Sequence, residues 1–194
     1  MFEQLLSLDI KYAHYTPTRG GCYMMLPKSL RSSQKRAVIN INSSMEKLNC
    51  FELSVLCGMF YKTLKAQGKN LASAKTYMKY VKDKILKFPC PFPMPISQIP
   101  RFETMNNLKI NVYSLKIDSQ RIYPLHISKR EKGLKINLLL ILSKQSNHFC
   151  YIENLNALAT VDRKIYKKNN VFCERCLTGM MTLPRVILIA LYRF

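Results

Sequence analysis

Asn49-Cys50-Phe51-Glu52-Leu53-Ser54-Val55-Leu56-Cys57-Gly58-Met59-Phe60-Tyr61-Lys62-Thr63-Leu64 is the stretch on which the fold turns. Apolar residues at Cys50, Leu53, Cys57, Phe60 and Leu64 keep a helical period, and Phe51, Val55 and Met59 widen the stripe until little is left for water. A helix apolar on most of its circumference persists only when other elements cover it, so this one is expected at the centre of the domain. Asn49 stands where its side-chain oxygen can accept from the N–H groups of the first turn, as an N-cap.

The cover has to come from the flanking sequence. Ala37-Val38-Ile39-Asn40-Ile41 is a short strand candidate ahead of the helix. Four more follow it: Ile110 to Leu115, Ile122 to Ile127, Ile136 to Leu142 and His148 to Ile152, parted by turn signals at Asp118-Ser119, Lys132-Gly133 and Ser143 to Asn147. Short connections between successive strands predict an antiparallel meander, with the apolar run Leu138 to Leu142 in its centre. Between helix and strands, Leu71, Ala74, Met78, Val81 and Ile85 predict an amphipathic surface helix from about Asn70 to Lys87, with Lys75, Lys79 and Lys82 as its cationic flank. Pro89, Pro91, Pro93, Pro95 and Pro100 then enforce an extended lead around the core. The expected fold class is therefore α+β, a buried central helix packed on an antiparallel sheet. One domain would span residues 1–165, its N-terminal segment irregular, and residues 166–194 would carry a cysteine knuckle and a divergent tail.

With 194 residues and 48% hydrophobic content the chain can bury a real core. Its net charge of +20 favours phosphate backbones, anionic surfaces or acidic protein surfaces as partners, with steep salt dependence. Arg31, Lys35 and Arg36 form a second basic cluster, and with Lys75, Lys79 and Lys82 they are the candidate nucleic-acid contacts. Seven cysteines without a paired framework, no signal-peptide pattern at Met1-Phe2-Glu3-Gln4, and apolar runs too short to span a bilayer lead to the expectation of a reducing compartment, nuclear or cytoplasmic. Only 11 acidic residues, none in a distinctive pair, argue against metal-dependent phosphoryl transfer.

Two sets of residues carry chemistry. Cys50, at the first turn of a helix, sits where the helix dipole and free N–H groups favour a thiolate and could furnish part of an oxyanion hole. His148 opens a strand about a hundred residues later, in the chain order of papain-like hydrolases, as the candidate base. No third member follows it at a suitable distance: Cys150 shares its strand face, Asn154 lies about 20 Å along an extended chain, and Glu153 and Asp162 are placed no better. In the second set, Cys173 and Cys176 form a Cys-x-x-Cys knuckle suited to Zn²⁺. The other ligand pair is expected roughly 12 to 20 residues on, yet neither histidine nor cysteine follows before Phe194, so the zinc site is incomplete within these residues.

Asn49-Cys50-Phe51 with His148-Phe149 is similar to the layout of ovarian-tumour-type deubiquitinases. A wider set of phrases carries a second resemblance: Tyr15-Thr16-Pro17-Thr18-Arg19-Gly20-Gly21-Cys22-Tyr23, Tyr123-Pro124-Leu125-His126-Ile127-Ser128, His148-Phe149-Cys150-Tyr151-Ile152 and Phe172-Cys173-Glu174-Arg175-Cys176-Leu177. In that order they resemble the region ahead of the polymerase core in polyproteins of Maverick/Polinton-type DNA transposons. That resemblance implies a two-cysteine, two-histidine finger beginning at Cys173, Cys176 and Leu177, and a polymerase whose motifs this chain does not contain. The leading expectation is a non-catalytic, basic accessory domain of a mobile-element DNA replication polyprotein, associated with nucleic acid. The alternative is a papain-like or ovarian-tumour-like cysteine hydrolase, a protease or deubiquitinase, with Cys50 as nucleophile and His148 as base.

Overall fold

A computed structural model of the chain describes residues 23–27, 30, 37–43, 48–116, 121–142, 147–160 and 170–181. The chain order is β1 (Val38–Ile39), α1 (Cys50–Ala66), a 3₁₀ turn (Ala74–Tyr77), α2 (Met78–Lys82), a second 3₁₀ turn (Ile96–Gln98), α3 (Ile99–Asn106), β2 (Leu108–Lys116), β3 (Arg121–His126), β4 (Leu134–Leu142), β5 (Asn147–Ile152), α4 (Leu155–Thr160), β6 (Asn170–Phe172) and β7 (Gly179–Met181). The class is α+β, with a five-stranded sheet in the order β1-β5-β4-β2-β3 and a separate β6-β7 hairpin.

Strand alternation divides the core in two. Ile110, Val112, Ile136, Leu138, Leu140 and Phe149 face α1, the 3₁₀ turns and α3. Tyr113, Leu115, Leu139, Ile141, Cys150 and Ile152 face the other way, against Leu158 of α4, Leu177, and Met24, Leu26 and Leu30 from the N-terminal part. Covered on both sides, β4 reads as the near-continuous apolar run that burial on two faces demands. Helix α1 is capped as expected: Asn49 Oδ1 accepts from Phe51 N at 2.8 Å and Glu52 N at 3.4 Å. Phe51 stacks edge-on against both Phe102 and Phe149, and the Ser54 hydroxyl donates to the Phe149 carbonyl, tying α1 to α3 and β5. Gly58 sits where α1 comes closest to β4. A Cβ there would stand 2.6 Å from Ile136 Cγ2.

The extended lead expected through Pro100 gives way to a 3₁₀ turn at Ile96–Gln98 and to α3, where Pro100 is tolerated in the first turn, and two larger details also differ from the sequence-based expectation. The sheet is mixed, because β2 and β4 pair in parallel from Leu108↔Leu134 to Leu115↔Ile141, while β3 pairs only with the outer side of β2. Pro124 supplies the reason. It has no N–H for a second neighbour, so the strand that contains it belongs at an edge and not between β2 and β4. The helix expected from Asn70 to Lys87 is instead a 3₁₀ turn followed by the five residues of α2. Tyr77, outside the predicted apolar face, is fully buried and donates to the Leu71 carbonyl, while the Thr76 hydroxyl takes the Asn70 carbonyl. These side-chain bonds compete with helical ones, and Lys84 at φ 48 ends the run. No described helix is long and apolar enough to cross a membrane.

Candidate functional site

The thiol of Cys50 lies at the N-terminus of α1 beside the start of β5, where its Sγ accepts from the Phe149 N–H at 3.4 Å. Phe149 is the neighbour of His148, so Cys50 and His148 are brought within one residue of each other. They approach from different sides. His148 and Cys150 point to the face turned away from α1, and both reach Asn40, which follows β1.

Asn40 is the third residue that reading forward from His148 missed. Its Nδ2 donates to the Met24 carbonyl at 2.8 Å, so its Oδ1 must be the atom facing His148 Nε2, at 2.7 Å. An amide oxygen cannot donate, so Nε2 carries the proton and Nδ1 the lone pair. The Cys150 thiol lies 3.6 Å from the same Oδ1. His148 is fully buried, and its Nδ1 has no hydrogen-bond partner among the described residues. Burial holds its pKa down at about 4, so the ring is neutral at physiological pH. A buried, orphaned imidazole nitrogen costs folding free energy, on the order of 1–3 kcal/mol, and such groups tend to mark sites with another task. Cys150, by contrast, has its thiol pKa pushed up by burial and by the nearby Cys50, and Cys57 is pushed up to about 12 mainly by burial. Both are core thiols.

The residues weighed as third members serve elsewhere. Glu153 pairs with Lys65 at 2.9 Å and accepts from the Tyr61 hydroxyl, and Asn154 Oδ1 accepts from Ala157 N to cap α4. Asp162 lies outside the described residues. Asn49 Oδ1 takes the Phe51 and Glu52 N–H groups, which removes those two amides from any oxyanion hole. The only forward signal for Asn40 was a polar residue inside the apolar strand Ala37 to Ile41, 108 positions before its partner.

Cys173 and Cys176 occupy the turn of the β6-β7 hairpin, closed by Cys173 N to Thr178 O and Leu177 N to Cys173 O. Leu177 takes the left-handed conformation, φ 55, and buries its side chain, while the Glu174 carbonyl accepts from the Tyr113 hydroxyl. The Cys176 thiol is held below its ordinary pKa by the Thr178 hydroxyl and amide and by Cys173, so the two sulfurs adjoin. Among the described residues no third His, Cys, Asp or Glu joins them. Two thiolates are half of a tetrahedral set, so these residues do not by themselves fit a structural zinc. Lys75, Lys79 and Lys82 are all exposed, on the 3₁₀ turn and α2. Arg31, Lys35 and Arg36 lie outside the described residues.

Comparison of the chain with protein-family models, with curated proteins and with solved structures finds no match in any of the three.

Proposed function

We propose that this domain is a papain-like cysteine hydrolase in which Cys50 is the nucleophile, His148 the general base and Asn40 the residue that orients the imidazole. The observation that carries the reading is the polarity of the His148 ring: Asn40 holds Nε2–H at 2.7 Å and leaves the Nδ1 lone pair buried and unengaged, one residue from the thiol's contact. A base held by an amide through one nitrogen, with the other free for a thiol, has the roles of a Cys-His-Asn triad. In the step this implies, Nδ1 takes the Cys50 proton as Sγ attacks an acyl carbon, and returns it to the leaving group. Water then cleaves the acyl–sulfur bond, with Nδ1 as base once more. The conformation described is a resting one, with Sγ on the Phe149 amide. Sγ and Nδ1 are not in contact there and must be brought together for the step, as catalytic hydrogen bonds are commonly loose before substrate binds.

The test is labelling of the full chain with a chloroacetamide probe, read by peptide mass spectrometry across pH. Labelling at Cys50 that His148→Ala slows at least about tenfold would agree with general-base assistance. Equal rates in wild type and His148→Ala would sink the reading.

A second reading rests on charge. The +20 balance and the exposed Lys75, Lys79 and Lys82 support association with nucleic acid, as in an accessory domain of a mobile-element replication protein. Filter binding should then weaken steeply between 50 and 200 mM salt (as expected for phosphate contacts), and Lys75→Glu/Lys79→Glu/Lys82→Glu should flatten the slope. Binding that ignores salt, or no binding, counts against it.

A further inference from the structure

Strand β1 is an outer strand of the five-stranded sheet. It pairs with β5 at Val38↔Ile152 and Ile39↔Tyr151, and the Glu153 N–H donates to the Ala37 carbonyl at 2.9 Å. In an antiparallel ladder that bond makes Val38 and Ile152 a non-hydrogen-bonded pair, so the N–H and C=O of Val38 turn away from β5. Further along, the chain already fills this edge itself: Asn42 bridges Ser73 in parallel, with its N–H on the Ala72 carbonyl at 2.9 Å. Back toward Val38 the two segments part, and a cleft of about 450 Å³ opens between Val38–Asn40 and Gly68–Ala72, its lining completed by Tyr61, Lys65 and Glu153. That volume lies within the range of ligand pockets. Neither proline nor charge stands on Val38-Ile39-Asn40, the usual devices that keep an edge from pairing.

We propose that this cleft takes an extended acidic peptide segment of another protein, which adds to the free edge of β1 as a further strand. The proposal requires neither the Cys50 thiol nor the His148 ring. The outward N–H and C=O of Val38 supply main-chain hydrogen bonds, the source of affinity in strand addition. Leu71, half-buried in the lining, gives the alternate side chains of the incoming strand an apolar surface. Charge selects the occupant. Glu153 is engaged by Lys65 at 2.9 Å and by the Tyr61 hydroxyl, while Lys69 has no ion pair among the described residues, so the cleft keeps surplus positive charge. With +20 on the whole chain, a second copy meets repulsion where an acidic segment meets attraction.

The experiment titrates the isotope-labelled full chain with the peptide acetyl-EVTVE-amide, followed by NMR. Its controls are acetyl-KVTVK-amide and the acidic peptide N-methylated at both valines and the threonine, which removes the donors on both of its edges. The acidic peptide should shift the amide signals of Val38 to Asn40 and Gly68 to Ala72. It should bind at least about fivefold tighter than either control, as the loss of main-chain hydrogen bonds predicts for the methylated form. Lys69→Glu should narrow the preference for glutamate over lysine. Val38→Pro removes the outward N–H and spares the β5 ladder, since proline is accepted where the N–H faces away from the sheet, and it should weaken binding about as much as methylation does. If that variant fails to fold, the methylated peptide carries the same test without touching the protein. No binding would overturn the proposal. Equal binding of the methylated peptide would reduce the site to charge attraction without strand addition, and equal binding of the lysine peptide would remove the acidic partner; each overturns it. Self-association that Val38→Pro abolishes would give the edge to a second copy and overturn it as well.

Discussion

Acidification should destabilise this domain through one buried ring. His148 is neutral in the fold, with its pKa lowered by burial from 6.5 to about 4, whereas in the unfolded chain it titrates normally. Between those values the unfolded state binds a proton that the folded state refuses, so stability falls as pH falls. The contribution is fully present above pH 6.5 and is lost on the way to pH 4. A shift of that size corresponds to about 3 kcal/mol, at 1.36 kcal/mol per pH unit, which is a large part of the stability of a small domain. The assay is urea unfolding at pH 7.5, 6, 5 and 4 of wild type and His148→Gln, a substitution that keeps a hydrogen-bonding amide near Asn40 and removes the titration. Wild type should lose about 3 kcal/mol more than the variant over that range. Glu103 does not imitate the effect. Its carboxyl is desolvated, but the nearby His126 ring, the Ile110 amide and Ser128 outweigh that and hold its pKa below the usual 4.5, so its loss begins only under that value. Parallel decline of wild type and His148→Gln would refute the claim that the ring is buried uncharged.

Gly58→Ala should destabilise despite the better helix propensity of alanine. The added methyl meets Ile136 at 2.6 Å and Tyr151 at 3.0 Å, so a strain of about 1–3 kcal/mol exceeds the roughly 1 kcal/mol gained from propensity, and thermal unfolding would show a lower Tm. Asn49→Ala should cost about 1 kcal/mol through loss of the α1 cap, measured by urea unfolding. Asn40→Ala should cost about 1–3 kcal/mol by leaving the His148 Nε2–H without its acceptor, and it should slow Cys50 labelling while His148 ring signals show a changed tautomer.

The proposed triad has a physical logic that a list of its members hides. Asn40 alone could hold His148 in either tautomer by turning its amide over, since oxygen and nitrogen are nearly the same size. The Met24 carbonyl removes that freedom, because only Nδ2 can donate to it.

Much of the fold was legible in the chain. The stripe from Cys50 to Leu64, its Asn49 cap and the run Leu138 to Leu142 specify a buried helix and a central strand, because period and length follow from local geometry. Pro124 even carried the clue to the edge position of β3, though turn spacing suggested a meander. The basic flank at Lys75, Lys79 and Lys82 is exposed as its polarity requires, but the helix it was assigned to is broken by Tyr77, whose burial depends on contacts far away in sequence. Of the candidate site, the sequence offered the cysteine and the histidine and the helix N-terminus that places the first of them. Tertiary structure alone decided their relation. Asn40 meets His148 across 108 positions because β1 pairs with β5, and the ring's tautomer follows from a carbonyl at Met24. Such contacts are set by strand register and sheet order, which sum over many weak preferences and leave no periodic trace in the residues they bring together.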